Sequence, residues 1–314
     1  MAWPEVYANR QGKEEYRRVP EWVFDFDYLS IIGCGRELHR RIRRQLAHAF
    51  SDVAIKQQEA ILVKYVDVLM VKLDQQTQGG KTVNIVDWFN FMSFDIIGEL
   101  AYSESFHSLE GSDYHPWVLS IFSGIRGSSF LRFLKQYWPL APIIKALRIN
   151  TDINLSVDNL KQTADMTMSR LQTGPKEKRP GFTDFVDYML RPNSNGAPGM
   201  SPNEVVLNTP ILILAGSETT GTGLAGLLYH LSVNPRTYQT LTEEIRSTFP
   251  CEEDVDLVGV GKLQYLRACI DEVLRMYPPA ASLVPRLSPG DMITEKWVPK
   301  GVSLSGNKST PAIE

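Results

Sequence analysis

Apolar residues recur at helical spacing along most of the chain. Leu38, Ile42, Leu46, Ala49 and Phe50 mark one stripe, Leu62, Tyr65, Val66, Leu69 and Leu73 a second, and Ile85, Phe89, Met92 and Ile96 a third. Gly79-Gly80 separates the second from the third. The polar stretches from Gly174 to Gly181 and from Pro192 to Pro202, rich in Pro, Gly, Asn and Ser, read as loops. From Pro285 onward the pattern changes. Val298-Pro299-Lys300-Gly301-Val302 reads as a turn between short extended segments. No internal repeat is visible.

The longest helix is predicted to start at residue 202. Ser201 is its N-cap, Pro202 its first residue, and Glu204 completes a Ser-x-x-Glu capping box. Leu224, Leu227, Leu228 and Leu231 continue it, and Asn234-Pro235 ends it. About 30 residues at ~1.5 Å each give ~45 Å, the length of a domain's central axis. Ile211 to Ala215 is apolar on every side, so this stretch is expected to be buried all round. Pro210 removes one backbone hydrogen bond and should kink the helix just before its middle.

At 43% hydrophobic and 22% charged, the 314 residues can bury a sizeable core. The net charge of -3 argues against a general nucleic-acid binder. Cys34, Cys251 and Cys269 form no CxxC pair and no disulfide framework, which points to a reducing compartment. The first residues hold no signal-peptide core, and no charge-free run of ~18 apolar residues occurs, so neither leader nor membrane anchor is expected in this chain.

Three constellations carry candidate chemistry. Ala215-Gly216-Ser217-Glu218-Thr219-Thr220 lies mid-helix. Gly216 weakens the helix, Glu218 is an acid among apolar residues, and Thr219 and Thr220 can bond back to carbonyls four residues earlier. A helix kink with a hydrogen-bonded Glu and a ligand groove that relays protons are both open on composition. Glu272 and Arg275 lie three apart, opposite the stripe of Leu266, Ile270, Val273, Leu274 and Tyr277, and can pair. Five arginines fall between positions 36 and 44, which suits a solvated face first, or else a nucleic-acid patch or an acidic partner.

Together these strings resemble the cytochrome P450 family. Ala215 to Thr220 is similar to its oxygen-binding motif, and Asp271 to Pro279 to its K helix and following turn. His39-x-x-x-Arg43 is similar to the C-helix Trp-x-x-x-Arg pattern, with His in the Trp position as in fungal members. Val83 to Phe106 resembles the family's E helix, and the motifs stand in family order. The resemblance implies a mainly α P450 fold, incomplete, with a minor sheet at each end and residues 1–314 as one partial domain. It implies haem b as cofactor. Thr219 and Glu218 would activate oxygen and deliver protons, beside Ala215 and Gly216 of the cofactor groove. His39, Arg43 and Arg286 would hold the haem propionates, and Glu272 and Arg275 would be a structural pair in the core.

The resemblance further implies a haem-thiolate monooxygenase oxidising an apolar small molecule. A fungal terpenoid or polyketide metabolite is the expected substrate class, as for trichothecene-pathway hydroxylases. Electrons would come from NADPH-cytochrome P450 reductase, docked by the outward arginines, at the endoplasmic reticulum surface for the full-length family. None of the three cysteines follows Gly-x-Arg as the family's ligand cysteine does, so no axial metal ligand is expected in this chain. An alternative is therefore a catalytically inactive, truncated P450-like protein, cytoplasmic and holding little haem. A third is an unrelated helical scaffold.

Overall fold

The computed structural model describes residues 3–7, 12–19, 27–119, 164–173, 182–192, 196–281 and 284–305. The loop expected from Gly174 to Gly181 lies outside them. The described residues hold helical stretches at 116–119 and 164–173 and ten helices with defined bounds. The ten are α1 (Trp3–Val6), α2 (Arg36–Ala47), α3 (Asp52–Thr77), α4 (Ile85–Tyr102), α5 (Ser108–Gly111), α6 (Phe185–Leu190), α7 (Pro202–Val233), α8 (Pro235–Thr248), α9 (Leu257–Val260) and α10 (Gln264–Met276). The strands are β1 (Arg17–Arg18), β2 (Arg286–Leu287), β3 (Asp291–Ile293), β4 (Lys296–Val298) and β5 (Ser303–Leu304).

Helix boundaries follow local chemistry. In α7 the capping box closes: Ser201 Oγ accepts from the Glu204 N–H and Glu204 Oε2 accepts from the Ser201 N–H. The helix ends at Asn234, as the following proline requires. It runs as one helical element through Pro210. In α3 the Ser51 side chain caps the first turn, and Asn84 does the same for α4.

The core is centred on α4, which is the helix buried on nearly every side. Trp88, Phe91, Phe94, Ile97 and Leu100 are buried there, and α7 and α3 lie against it. The expectation that α7 is enclosed all round is corrected. Ile213 is buried, but Ala215, Thr219 and Thr220 are exposed, because α4 covers only one side of α7. By length and composition α7 could cross a membrane; in this fold its covered side is packed against protein. Similarly Ile42, Leu46 and Ala49 of the first stripe are buried, whereas Phe50 and Val66 lie outside.

Buried polar groups are tied across elements. Glu99 accepts from Tyr65 Oη at 2.5 Å and from Lys64 Nζ at 3.0 Å. Asp95 accepts from the backbone N–H groups of Ser108 and Leu109. The guanidinium of Arg170 is held by Asp184 and Asp187. Each arrangement satisfies groups that would be costly to bury alone.

The expected sheet at each end is instead one sheet joining both. Strand order is β1-β2-β5, all antiparallel, with Arg18 opposite Arg286 and Arg286 opposite Leu304. Strands β3 and β4 form a separate hairpin. Gly301, at φ 85°, makes the turn between β4 and β5 where the sequence placed it.

Candidate haem-binding site

Helix α2 lays its apolar stripe on the core and turns its basic side toward the β1–β2 ladder. Between them is a cavity of about 1060 Å³. His39, Arg43 and Arg286 all line it, so the fold brings Arg286 beside two α2 residues that are distant from it in sequence. Arg18 and Arg40 line it too, as do Glu14 and Glu15. Burial, followed by the positive charges of Arg18 and Arg43, lowers the His39 pKa; Glu15 opposes this, and Arg286 adds to it. The Arg286 guanidinium sits 5.6 Å from the Tyr7 ring centroid, and its Nε is buried without a hydrogen-bond partner. Such a cavity is short of negative charge and holds an unused donor, which suits carboxylates.

A second cavity, about 530 Å³, opens on the uncovered side of α7. Thr219, Thr220, Gly223 and Leu227 form one wall; Ile270, Val273 and Leu274 of α10 and the Pro278-Pro279-Ala280 turn form the other. The hydroxyls of Thr219 and Thr220 donate to the carbonyls of Ala215 and Gly216, as the sequence anticipates. Gly216 faces α4: a Cβ there would lie 2.9 Å from Ile97 Cδ1. Glu218 is half-buried. Helix α10 approaches α7 where Gly226 leaves room for Tyr277 and Val273.

Glu272 and Arg275 pair through two hydrogen bonds of 2.7 Å. Those bonds hold the Glu272 carboxyl below the usual carboxylate range and raise the Arg275 pKa. The pair expected in the core is exposed, with side chains 51% and 61% accessible.

The cytochrome P450 family profile matches residues 8–307. The chain belongs to the cytochrome P450 family. Cytochrome P450 monooxygenase astJ of Aspergillus oryzae is 37% identical over 316 residues, covering 98% of this chain and 62% of the relative. Trichothecene C-15 hydroxylase of Fusarium sporotrichioides is 40% identical over 282 residues, covering 89% of this chain and 56% of the relative. The chain thus spans about three fifths of the curated relatives it matches. A crystallised cytochrome P450, 19% identical, superposes with a TM-score of 0.78 over 98% of this chain and 70% of the other. That likeness confirms the fold.

Within this P450 frame, some supporting residues gave no signal in the sequence. Asn208 of α7 is fully buried; its Oδ1 accepts from the Ile31 N–H at 2.7 Å and its Nδ2 donates to the Leu29 carbonyl. It thereby fixes the segment leading into α2. Arg41 belongs to the basic run but pairs with the buried Glu204 at the start of α7. Gln45 donates to the Tyr188 and Arg191 carbonyls, joining α2 to the end of α6. The sequence marked Glu204 only as a helix cap and Arg41 only as one of five arginines. Among the cysteines, Cys34 is buried and lines the cationic cavity, Cys251 is exposed and Cys269 is buried in α10.

Proposed function

We propose that this chain is the haem-cradling part of a fungal haem-thiolate monooxygenase. The complete protein would oxidise an apolar small molecule of secondary metabolism, with electrons from NADPH-cytochrome P450 reductase, at the endoplasmic reticulum surface. The observation that carries the reading is the cationic cavity shared by His39, Arg43 and Arg286. These residues would hold the haem propionates, with Arg286 Nε gaining the acceptor it lacks. Bound haem would supply the redox-active iron for oxygen chemistry. Thr219 would orient oxygen on the open side of α7 and Glu218 would deliver protons, with Ala215 beside them and Gly216 letting α7 pack closely on α4. The Glu272–Arg275 pair would be structural. The apolar substrate class and the trichothecene-type chemistry are suggested by the named relatives alone.

A second reading has its own support. Cys34 lines the cationic cavity, Cys251 and Cys269 line neither cavity, and none of the three lines the one that contains Thr219. Taken by itself, the chain would then be a catalytically inactive P450-like protein that binds haem weakly and without thiolate ligation.

Hemin titration followed by a reduced carbon monoxide difference spectrum tests both readings. The first expects hemin retention that falls at least tenfold in Arg43→Ala and Arg286→Ala. Equal retention in these variants and the parent would refute the proposed cradle. A thiolate-type band from this chain would refute the second reading.

A further inference from the structure

Helix α2 carries two polar rows on different sides. His39 and Arg43 are four residues apart and line the cationic cavity. Arg41 and Gln45 are also four apart, and each stands two residues beyond its counterpart, about 200° round the helix. The apolar stripe of Ile42 and Leu46 lies between the rows and is buried in the core. Burial of such a stripe is non-directional. It keeps α2 on the core but tolerates a roll about the helix axis, and a roll would swing His39 and Arg43 relative to the cavity.

The second row supplies the missing direction. Gln45 is only 4% exposed. Its Nε2 donates to the carbonyls of Tyr188 at 2.8 Å and Arg191 at 2.7 Å, at the end of α6. Arg41 pairs with Glu204 Oε1, while Glu204 Oε2 accepts from the N–H and the hydroxyl of Ser201. One turn along α7, Asn208 Nδ2 donates to the Glu204 carbonyl at 2.7 Å. The same Asn208 side chain bonds the backbone of Leu29 and Ile31 ahead of α2. The N-cap of α2 is Gly35, which has no side chain to hold the first turn. Hydrogen bonds have preferred angles, so these contacts fix the roll that the stripe leaves free.

We propose that Gln45 and Arg41 are positioning residues for the cationic cavity: anchored on α6 and α7, they set the roll of α2 that aims His39 and Arg43 at a bound carboxylate. The inference rests on the reading of that cavity as the haem cradle. It gives the Arg41–Glu204 pair a consequence beyond stability, because through it the propionate-binding row is mounted on the helix that carries Thr219.

The test uses the whole chain with labelled histidine rings, titrated by NMR without hemin. The His39 signal is assigned by its loss in His39→Gln. Gln45→Met keeps length and neutrality and removes both donated hydrogen bonds. His39 stands low in the parent mainly through burial, then through Arg18 and Arg43, with Arg286 adding and Glu15 opposing. No charge changes in Gln45→Met, so the His39 midpoint moves only if the ring moves relative to these groups. It should rise toward the ordinary imidazole value. Hemin affinity should fall about tenfold in Gln45→Met and Arg41→Gln, the lower end of the loss when the support behind a metal-ligating side chain is removed. Arg41→Lys should keep most of the affinity. Leu241→Val, a core change in α8, lowers stability alone and should move neither readout. A His39 midpoint that stays or falls in Gln45→Met overturns the positioning role, and parental affinity in Arg41→Gln removes Arg41 from it. Circular dichroism checks folding. If Gln45→Met is unfolded, Gln45→Asn decides by the same midpoint, since its amide is one methylene too short to hold both carbonyls. A parent chain that retains no hemin overturns the cradle reading, and the His39 midpoint still decides whether Gln45 sets the roll.

Discussion

Replacing Gly221 with alanine tests the packing of α4 on α7 at its tightest point. In an unconstrained helix the change should stabilise by about 1 kcal/mol, because glycine is the poorer helix former. Here the new Cβ would lie 2.2 Å from Asn90 Oδ1, 3.1 Å from its Cγ and 3.3 Å from its backbone nitrogen. Rotating the Asn90 side chain relieves the first two contacts and leaves the third, so the helices themselves must separate slightly. Overpacking of this kind costs ~1–3 kcal/mol, and loss of the Asn90–Tyr114 hydrogen bond adds ~0.5–1.5 kcal/mol. The net expectation is destabilisation by about 1–3 kcal/mol. Gly223 is the internal control: its Cβ would meet only Pro279 Cγ at 3.9 Å. Gly223→Ala should therefore gain up to ~1 kcal/mol. Urea unfolding followed by circular dichroism, with the m-value checked for constancy, reads both. A third variant, Gly221→Ala with Asn90→Ala, should recover most of the loss through the coupling of two touching residues. If the two glycine variants shift the midpoint in the same direction, the steric argument is wrong.

Other consequences can be measured directly. Arg41→Ala should cost ~1–3 kcal/mol in urea unfolding, because it leaves Glu204 buried without its cation; a change within error would show that water replaces the guanidinium. Burial pushes the Tyr102 pKa up to about 12. Both states are protonated below the ordinary phenol value of ~10, and above it the unfolded chain ionises first. Stability should thus fall by about 1.4 kcal/mol per pH unit between the two values, and Tyr102→Phe should flatten that part of the curve. Carboxylates entering the cationic cavity should raise the lowered His39 pKa, so hemin binding should take up protons. The affinity should then strengthen as pH falls through the imidazole range, by at most about tenfold per unit, and His39→Gln should abolish that slope.

What was legible in the sequence was what is encoded locally. The Ser201–Glu204 box, the Asn234-Pro235 stop and the Gly301 turn each depend on a few adjacent residues, and each appears as expected. His39, Arg43 and Arg286 could be picked out because they sit in recognisable strings, and the fold gathers them. The burial of α7 was misjudged because an all-round apolar helix says only that it can be enclosed, not which sides are. The exposed position of Glu272 and Arg275 was hidden for the same reason. Pairing of β1 with β2 had no signal, since two-residue strands contain no alternation to read. Asn90, Asn208 and Glu99 were passed over because a buried polar residue looks like a surface residue until its partner is known.

The β1-β2-β5 sheet has a kinetic consequence. Arg18 and Arg286 are neighbours in space and separated by nearly the whole chain in sequence. Helices such as α3 and α7 can form from local contacts, but this ladder must wait for a loop of nearly the whole chain to close. The cationic cavity has one wall on that ladder, so it cannot be complete before the ladder closes. An anion bound across it would hold the two ends of the chain together. Part of its binding energy would then appear as resistance to the parting of β1 from β2.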